Sequence, residues 1–294
     1  MIIVDFQGVL LATLHAQLGA HQNATLDEGM LRHMALNCLR SYKTKFKDSG
    51  EMVIACDTKH SWRKNVYSYY KANRAKARAE SSLDWKTIFE FFAKMKVELK
   101  EYFPYRVIEV DGAEADDIIG VLAHEFGAKD EFGGLVFGGT EEIQILSRDH
   151  DFKQLQIYSN VKQWDPIDKK KITVPNPVAY LKEHIIRGDK GDGVPNILSD
   201  DDTFVIDKKR QKSIFDKDFV VWMKEPPEKF CETDLMLRNW KRNEQMVDLR
   251  FTPESIKSEI LAQYHAQAGK NKSRLESYFI KHRLKHLHPY YNEF

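Results

Sequence analysis

Four short apolar runs, separated by longer amphipathic segments, constrain the fold of this chain more than any other feature. The runs are MIIV at 1–4, EMVIAC at 51–56, RVIEV at 106–110 and EIQIL at 142–146. Two weaker runs of the same kind follow at 160–164 and 170–174. Strands that alternate with helices predict an α/β fold, in which helices flank a mostly parallel central sheet.

The segments between the runs have helical periodicity. Residues 26–46 place Leu31, Met34, Ala35, Cys38 and Leu39 on one face, and residues 84–103 and 114–126 behave similarly. After Val-Pro-Asn-Pro at 174–177 the sequence indicates helices and loops, with one helix over 234–249. We therefore predict an α/β domain over 1–174 and a helical region over 175–294.

Length and composition exclude several classes of protein. The 294 residues suffice for one large or two modest domains, and no run of about eighteen apolar residues predicts a membrane span. The N-terminus lacks the features of a signal peptide. The three cysteines are widely spaced and odd in number, which argues against a disulfide framework or a zinc site. A reducing compartment and no membrane partner are expected.

Acidic residues follow every main strand of the predicted sheet, and more lie in a later glycine-rich turn. The nine are Asp5, Asp57, Glu114, Asp116, Asp117, Asp149, Asp151, Asp189 and Asp192. Each alone has a structural explanation, such as a turn or the first turn of a helix, where acids are favoured. The carboxyl ends of parallel strands meet at one edge of a sheet, so we expect the acids to converge there.

The pair Asp149 and Asp151 is the sharpest part of this pattern. In an extended segment, residues i and i+2 point to the same side, so both carboxylates should face one way. Like charges this close require a cation between them. Oxygen ligands without cysteine favour Mg²⁺, or Mn²⁺ in its place, and so many carboxylates favour two ions. A site with two metal ions suits phosphodiester hydrolysis.

A basic and aromatic segment without acids spans residues 61–78. Its cations are Arg63, Lys64, Lys71, Arg74, Lys76 and Arg78, and its aromatic residues are Trp62, Tyr67, Tyr69 and Tyr70. The plain alternative is a solvated helix with a few buried rings. The functional interpretation is a surface that tracks phosphates and stacks on bases. We expect Arg63, Lys71 and Arg74 to hold the scissile phosphate and Tyr70 to stack on a terminal base.

A tight glycine turn follows a predicted helix in YLKEHIIRGDKGDGVPNI at 180–197. Lys190, Gly191 and Gly193 are candidates for contact with duplex phosphates, because glycine lets the backbone approach a ligand. Such a turn can also simply connect two helices. The acidic loop that follows, with Asp200, Asp201 and Asp202, would repel phosphate, and we expect it to be solvated.

As a set, these motifs resemble the flap-endonuclease and 5′-nuclease superfamily, and within it the RNase H type of T-even bacteriophages. The matching pieces are IVDFQ, ACDTKHSWRK, YYKANRAKAR, EADD, SRDHDFKQL, NVKQWDP and RGDKGDGV. The resemblance implies a metal-dependent 5′→3′ exonuclease and flap endonuclease acting on RNA·DNA and DNA·DNA duplexes. It would leave 5′-phosphates and remove RNA primers from lagging-strand fragments in phage DNA replication.

The resemblance also implies roles for particular residues. Asp5, Asp57, Glu114, Asp116 and Asp117 would belong to a first Mg²⁺ site, and Asp149, Asp151, Asp189 and Asp192 to a second. The 5′-nuclease or PIN-like core would carry a helical arch or bridge near 61–85. A helix-three-turn-helix near 180–197 would grip duplex DNA, with K⁺ possible on its carbonyls.

The sequence also allows expectations about partners and about alternative functions. The resemblance implies cooperation with the phage single-strand-binding protein through the C-terminal part, and we expect a monomer in the cytoplasm of an infected bacterium. The glycine-rich segment 126–142 and the acidic loop after residue 197 depart from the family pattern. A PIN-type ribonuclease and a catalytically silent nucleic-acid-binding scaffold stay open as alternatives.

Overall fold

The computed structural model describes residues 1–18, 27–74, 83–129, 134–136 and 141–294. These residues divide into two compact units. The first unit contains Met1–Lys59, Asp84–Thr173 and Pro253–Phe294, and the second contains His60–Leu83 and Val174–Thr252. The two-domain division at residue 174 stays a prediction. The compact units divide the chain differently, because residues 60–83 belong with the later helices and the C-terminal segment belongs with the sheet.

A six-stranded sheet forms the centre of the first unit, in the order β3-β2-β1-β4-β5-β6. The strands are β1 (Ile2–Asp5), β2 (Met52–Ala55), β3 (Arg106–Ile108), β4 (Ile143–Leu146), β5 (Val161–Asp165) and β6 (Lys170–Ile172). The first five are parallel to their neighbours, and β6 pairs with β5 in the antiparallel direction. The predicted mostly parallel sheet is confirmed, and each of the six predicted runs overlaps a strand.

Helices surround the sheet and build the second unit. In chain order they are α1 (Phe6–Leu18), α2 (Glu28–Lys45), α3 (Arg63–Val66), α4 (Trp85–Tyr102), α5 (Ala115–Phe126), α6 (Pro177–Arg187), α7 (Asp216–Trp222), α8 (Pro227–Phe230), α9 (Asp234–Val247), α10 (Glu254–Ala266) and α11 (Leu275–Lys281). Helices α3 and α6 to α9 belong to the second unit, and the others to the first. Short 3₁₀ segments lie at Lys47–Ser49, Asp151–Ile157, Leu249–Phe251 and Lys285–Glu293.

Helices α2 and α1 of the first unit differ in how clearly the sequence marks their buried faces. The predicted face of α2 is buried at Leu31, Met34, Ala35 and Leu39. Helix α1 was not predicted, because it begins directly after β1 and is apolar on several faces, so it has no amphipathic period. The central strands are continuous apolar runs because helices cover both faces of a parallel sheet.

The second unit is organised around the glycine turn that follows α6. Helix α9 packs against α6, and two of its fully buried asparagines bind the backbone of the turn. Asn243 Nδ2 donates to the carbonyls of Ile185 at 2.8 Å and Pro195 at 2.9 Å. Asn239 Nδ2 donates to the carbonyls of Ile197 and Ser199. The described turns from 188 to 208 are thereby fixed to a helix far along the chain.

The acidic loop of the second unit was expected to be solvated, but its three aspartates form ion pairs. Asp201 forms ion pairs with Arg238 and with the buried Arg242. Lys209 lies 2.9 Å from Asp200 and also pairs with Asp202. The expectation failed because the neutralising arginines come from α9, which local sequence does not reveal.

Two further expectations concern the glycine-rich segment and membranes. Lys129 and Leu135 form an isolated antiparallel bridge, as a small hairpin within 126–142 would. Residues 130–133 and 137–140 lie outside the described residues. In the described part of the chain, no helix combines the length and apolarity needed to cross a membrane.

Candidate functional site

Asp5 ends β1 at the carboxyl edge of the sheet, where it is half-buried. Gly8 N donates to Asp5 Oδ1 at 3.0 Å, and Ser147 Oγ donates to Oδ2 at 2.8 Å. Burial and the nearby Asp57 carboxylate raise the pKa of Asp5 to about 7, with a smaller contribution from Asp149. The two hydrogen bonds oppose that rise without cancelling it. The surroundings of Asp5 therefore disfavour the ionised form of its carboxyl group.

Asp57 joins the end of β2 to the start of α5. Ala115 N, in the first turn of α5, donates to Asp57 Oδ1 at 2.8 Å. The Gln7 side chain clasps the Asp57 backbone: its Nε2 donates to the Asp57 carbonyl at 3.3 Å, and its Oε1 accepts from Asp57 N at 3.1 Å. These contacts hold Asp57 beside Asp5, because β1 and β2 are neighbours and end at the same edge of the sheet.

The three acids at the start of α5, Glu114, Asp116 and Asp117, differ in burial and in their contacts. Asp117 is fully buried, and its Oδ2 accepts a hydrogen bond from Glu114 N at 2.9 Å. Asp117 therefore caps the helix, which is the plain structural explanation for an acid in a first turn. Glu114 is buried and Asp116 half-buried at the same helix start. Their roles as metal ligands remain predictions.

The segment after β4 turns, so the expected extended geometry of Asp149 and Asp151 is wrong. His150 has helical dihedral angles, with φ −75° and ψ −23°, and Asp151 begins a 3₁₀ segment. Asp149 N donates to Ser147 Oγ at 3.0 Å, and Asp151 N donates to Asp149 Oδ1 at 2.9 Å. Such local bonds from side chain to backbone compete with an extended strand. Asp149 is exposed and Asp151 is buried.

Four residues that sequence reasoning missed position these acids: Gln7, Gly8, Ser147 and Gln163. Gln163 is fully buried on β5, and its Nε2 donates to the carbonyls of Ser147 at 3.1 Å and Asp149 at 2.6 Å. A Cβ added at Gly8 would overlap the Asp5 carboxylate. Gln7, Gly8 and Ser147 each lie within three residues of a predicted acid, so their nearness in the sequence could have identified them. Gln163 gives no such signal, because its approach depends on strand pairing.

The glycine turn of the second unit is closely packed. Gly193 has φ +75°, and a Cβ there would come within 3.1 Å of the Tyr69 carbonyl oxygen. Asp189 Oδ1 accepts from Asp192 N at 3.0 Å, and His184 Nε2 lies 3.2 Å from Asp189 Oδ2. Burial alone would raise the pKa of Asp189, but these hydrogen bonds outweigh it and the pKa is lowered.

Asp192 is surrounded by the basic segment of the same unit. Arg74 Nη2 donates to Asp192 Oδ1 at 2.5 Å, Tyr70 OH donates to Oδ2 at 2.8 Å, and Lys71 Nζ lies 3.5 Å from Oδ2. Lys71 N also donates to the Asp192 carbonyl at 2.7 Å, from a backbone with φ +56°. Asp192 is thus a counter-ion that holds residues 70–74 in place.

The predicted nucleic-acid contacts differ in their accessibility. Arg63 is only 2% exposed, and its Nε donates to the Met246 carbonyl at 3.1 Å. Tyr70 is also 2% exposed, so stacking on a base would require its ring to leave this position. Lys64, Arg74, Lys190 and Gly191 are exposed, and Lys71 and the buried Gly193 adjoin them. Lys76 and Arg78 lie outside the described residues.

Two family models together match the whole chain. One, described as 5′-3′ exonuclease, N-terminal resolvase-like domain, matches residues 1–184, and the other, T4 RNase H, C terminal, matches 178–294. Ribonuclease H of Enterobacteria phage T4 is 32% identical over 301 residues, covering 99% of this chain and 95% of that protein. A 5′-3′ exonuclease of Buchnera aphidicola subsp. Schizaphis graminum is 25% identical over 207 residues, covering 67% of this chain and 65% of its own length.

Solved structures show the same fold at lower identity. The flap endonuclease of bacteriophage T5, in a pseudo-enzyme-product complex with DNA and metal ions, has a TM-score of 0.58 and 16% identity, covering 90% of this chain and 98% of that chain. A crystal form of the phage T5 protein with metal ions has a TM-score of 0.57 and 15% identity, covering 91% and 98%.

Proposed function

The chain belongs to the 5′-3′ exonuclease family, in its branch with a phage RNase H C-terminal region, and on that premise we propose the following reaction. The protein hydrolyses phosphodiester bonds at 5′ ends and 5′ flaps of RNA·DNA and DNA·DNA duplexes. In phage replication this activity removes RNA primers from lagging-strand fragments. The observation that carries the proposal is the meeting of Asp5, Asp57 and Asp149 at one edge of the sheet.

The donor set at this edge suits hard divalent cations. All its predicted ligands are carboxylate oxygens, which Mg²⁺ prefers and which Mn²⁺ also accepts. Asp5 supports the fit directly, because its pKa is raised to about 7 by burial and by its acidic neighbours. A cation would favour the ionised carboxylate instead. Two cations are proposed, held by Asp5, Asp57, Glu114, Asp116, Asp117, Asp149 and Asp151.

The residues of the glycine turn fit ions less well. Asp192 already has Arg74 and Lys71 beside it, and Asp189 caps the turn. Four turn carbonyls already accept protein donors: those of Lys190, Gly191, Asp192 and Gly193, from Asn73, Arg74, Lys71 and Tyr67 respectively. We therefore derive no step from K⁺ at this turn and assign Asp192 to shaping it, whereas the role of Asp189 as a metal ligand stays a prediction.

The chemistry is an in-line displacement at phosphorus. When bound, the divalent cations lower the pKa of a water molecule and offset the negative charge that develops on the phosphate. The water oxygen forms a bond to phosphorus while the bond from phosphorus to the 3′ oxygen breaks. The attacking water loses a proton and the leaving 3′ oxygen takes one, so the released piece ends in a 3′-hydroxyl and the remaining strand keeps a 5′-phosphate. Ser147 and Gly8 hold the Asp5 carboxylate in one orientation, which preorganises the site.

Cations of the second unit are proposed to bind the substrate backbone. Lys71 and Arg74 are held beside Asp192, whereas the side chains of Lys64 and Lys190 are exposed to solvent. Phosphate contacts of this kind orient a nucleic acid without reading its sequence. We further propose a monomer that works in the cytoplasm of an infected bacterium and contacts the phage single-strand-binding protein through its C-terminal part.

The direct test uses three labelled substrates with Mg²⁺: an RNA·DNA hybrid, a nicked duplex and a 5′-flap DNA. We expect short labelled products from the 5′ end, carrying a new 5′-phosphate on the remaining strand. A bulky block on the 5′ end should slow the reaction, because cutting starts there. Asp48→Asn is a matched control, since Asp48 is exposed and lies before β2, away from the proposed site.

Other outcomes would favour the alternatives. Internal cuts in single-stranded RNA, insensitive to a 5′ block, would favour a PIN-type ribonuclease. Duplex binding without hydrolysis at any divalent cation concentration would favour a silent scaffold. The match of the phage RNase H C-terminal model over 178–294 supports the main proposal over both.

A further inference from the structure

Residues 208–212 form a cationic segment that the proposed reaction does not use. Exposure alternates along it: Lys208, Arg210 and Lys212 are exposed, whereas Lys209 and Gln211 are half-buried. Residues 209–215 belong to no helix or strand. An alternation of this period is that of an extended chain, whose side chains i and i+2 lie on one side about 7 Å apart. Arg210 and Lys212 therefore face solvent together.

The backbone of this segment is fastened to the chain that follows the glycine turn. Asn196 N donates to Gln211 Oε1 at 2.6 Å, and Asn196 Nδ2 donates to the Lys212 carbonyl at 2.8 Å. Lys212 N donates to Ser199 Oγ at 2.9 Å. Asn196 and Ser199 are buried, with exposures of 6% and 1%. The cations are thus presented from a fixed support beside residues 196–199.

The neighbouring acids do not cancel these cations. Asp200 and Asp202 pair with Lys209, and Asp201 pairs with Arg238 and Arg242. Counting Asp207, four acids between 200 and 207 face six cations, namely Lys208, Lys209, Arg210, Lys212, Arg238 and Arg242. The patch therefore has an excess of two positive charges. In the described part of the chain, Lys208, Arg210 and Lys212 form no direct ion pair with a carboxylate, although Lys209 and, to a smaller extent, Lys212 lower the pKa of Asp200.

We propose that Lys208, Arg210 and Lys212, named here the cationic strip, bind the phosphates of the duplex part of the substrate. This proposal rests on the proposed function, because it assigns the strip to the same nucleic acid. Arg210 and Lys212 on the extended segment, with Lys208 at the turn before it (φ +60°), offer three cations in succession to a linear polyanion, and no apolar side chain lies between them. Such contacts add affinity that does not depend on sequence and falls with salt.

The test is the salt dependence of duplex binding by the full chain, measured by fluorescence anisotropy in the absence of divalent cations. The variant replaces all three residues of the cationic strip by Gln. Each phosphate that the variant no longer neutralises should lower the slope of log affinity against log salt by about 0.9, so three phosphates predict a fall of about 2.7. Affinity at about 0.1 M salt should fall at least tenfold.

A matched control removes the same charge elsewhere. Lys86, Lys94 and Lys100, all exposed on α4, are replaced by Gln. Their replacement should change the slope by less than half as much. A Lys208→Arg/Lys212→Arg variant should keep the wild-type slope, because both cations remain. Thermal melting of each variant shows whether it is folded.

The outcomes separate this proposal from the proposed function. An unchanged slope in the folded triple variant, or an equal fall in the α4 control, overturns the cationic strip as a duplex-binding surface and leaves an acidic protein partner as its alternative. If the slope falls as predicted in the triple variant but the wild-type protein cuts no substrate with Mg²⁺, the proposed reaction is refuted while the strip is supported.

Discussion

Asp5 and Asp192 are both half-buried aspartates expected at a metal site, yet their surroundings differ in charge. Asp5 accepts hydrogen bonds from two neutral donors, Gly8 N and Ser147 Oγ, and its pKa is raised to about 7 by burial and by Asp57. Asp192 instead has Arg74 at 2.5 Å and Lys71 at 3.5 Å. The protein supplies the counter-charge for Asp192 and acidic neighbours for Asp5.

This difference separates two uses of a carboxylate. Where the fold provides the cation, the acid fixes backbone and side chains, and its removal should loosen structure. Where the fold provides more acids, the ionised carboxylate is disfavoured until an external cation binds. Substitutions in the two regions should therefore fail in different ways, which the following predictions are designed to detect.

The largest effect is expected from Asp149→Asn or Asp151→Asn at the sheet edge. Loss of one ligand charge should reduce hydrolysis about 10³-fold or more, because charge neutralisation of the phosphate is then lost. Duplex binding should stay within about twofold, since binding relies on cations elsewhere. Single-turnover rates on a labelled 5′-flap substrate, with binding measured separately, would check both.

Asp48→Asn serves as the matched control for that pair, because it removes one exposed acid that lies before β2, away from the site. If either sheet-edge variant retained wild-type hydrolysis, that residue would not be a ligand. If both lost duplex binding in parallel with hydrolysis, the separation of the two regions would be wrong.

The next largest effect is expected from Gly8→Ala. The added Cβ would overlap the Asp5 carboxylate and force it from its hydrogen bond with Gly8 N. Misplacement of a ligand by about an ångström can cost about 10²-fold in rate. Single-turnover hydrolysis measures this loss, and Gly29→Ala, at the start of α2, is a control for the same change in a helix. Wild-type activity in Gly8→Ala would show that the Asp5 orientation is unimportant.

The sequence predicted those parts of the fold that depend on local pattern. The strand segments are short apolar runs and helices α2, α4, α5 and α9 have helical periods, and the structure confirms these elements. Helix α1 escaped because its apolar residues are not confined to the buried face: Leu11, Ala12 and Ala16 lie outside it, so the sequence has no clear polar face. Family membership was also accessible, since the motifs carry it.

The parts that escaped prediction depend on residues far apart in the chain. Gln163 reaches Ser147 because β5 lies beside β4, and strand order is not written in local sequence. Tyr70 and Arg74 meet Asp192 across 122 and 118 residues. The turn at Asp149 was missed for a different reason, because side-chain bonds to the backbone replaced the extended form.

Asp192→Asn should have an intermediate effect, because it removes the counter-ion of the basic segment. Lys71 and Arg74 would lose their partner, and residues 70–74 should exchange amide hydrogens faster. Hydrolysis should fall only about tenfold, through poorer positioning of phosphate-binding cations. Hydrogen exchange by mass spectrometry and single-turnover rates test the two parts. A loss as large as that of Asp151→Asn, with unchanged exchange, would instead make Asp192 a ligand.

A smaller effect is expected from Arg74→Ala. Arg74 is exposed but already shared with Asp192, so its contribution to phosphate binding should be limited to one contact. The slope of log affinity against log salt should fall by about 0.9. Anisotropy titrations over a range of salt provide the measurement, with Lys86→Gln as a control of equal charge. An unchanged slope would restrict Arg74 to its pairing with Asp192.

The smallest effect is expected on stability, through the ionisation of Asp5. Its pKa is higher in the folded chain than the ordinary 3.8, so the folded protein without metal holds a proton that the unfolded chain releases. Stability without divalent cations should therefore fall as pH rises from about 4 to about 7. A bound cation favours the ionised form, so Mg²⁺ should stabilise the protein more at pH 8 than at pH 5.

Melting temperatures with and without Mg²⁺ at the two pH values test this expectation. At a concentration about 100 times its Kd, Mg²⁺ should raise the Tm by roughly 5 °C at pH 8 and by less at pH 5. Asp5→Asn removes the titrating group, so the fall in metal-free stability between pH 4 and 7 should become shallower. Asp192→Asn should leave the Mg²⁺-dependent rise in Tm in place, because in the unsubstituted protein Lys71 and Arg74 already neutralise the Asp192 carboxylate. An equal Mg²⁺ shift at both pH values would mean that the acidic neighbours of Asp5 do not disfavour its ionisation, and the contrast between the two aspartates would then lose its electrostatic basis.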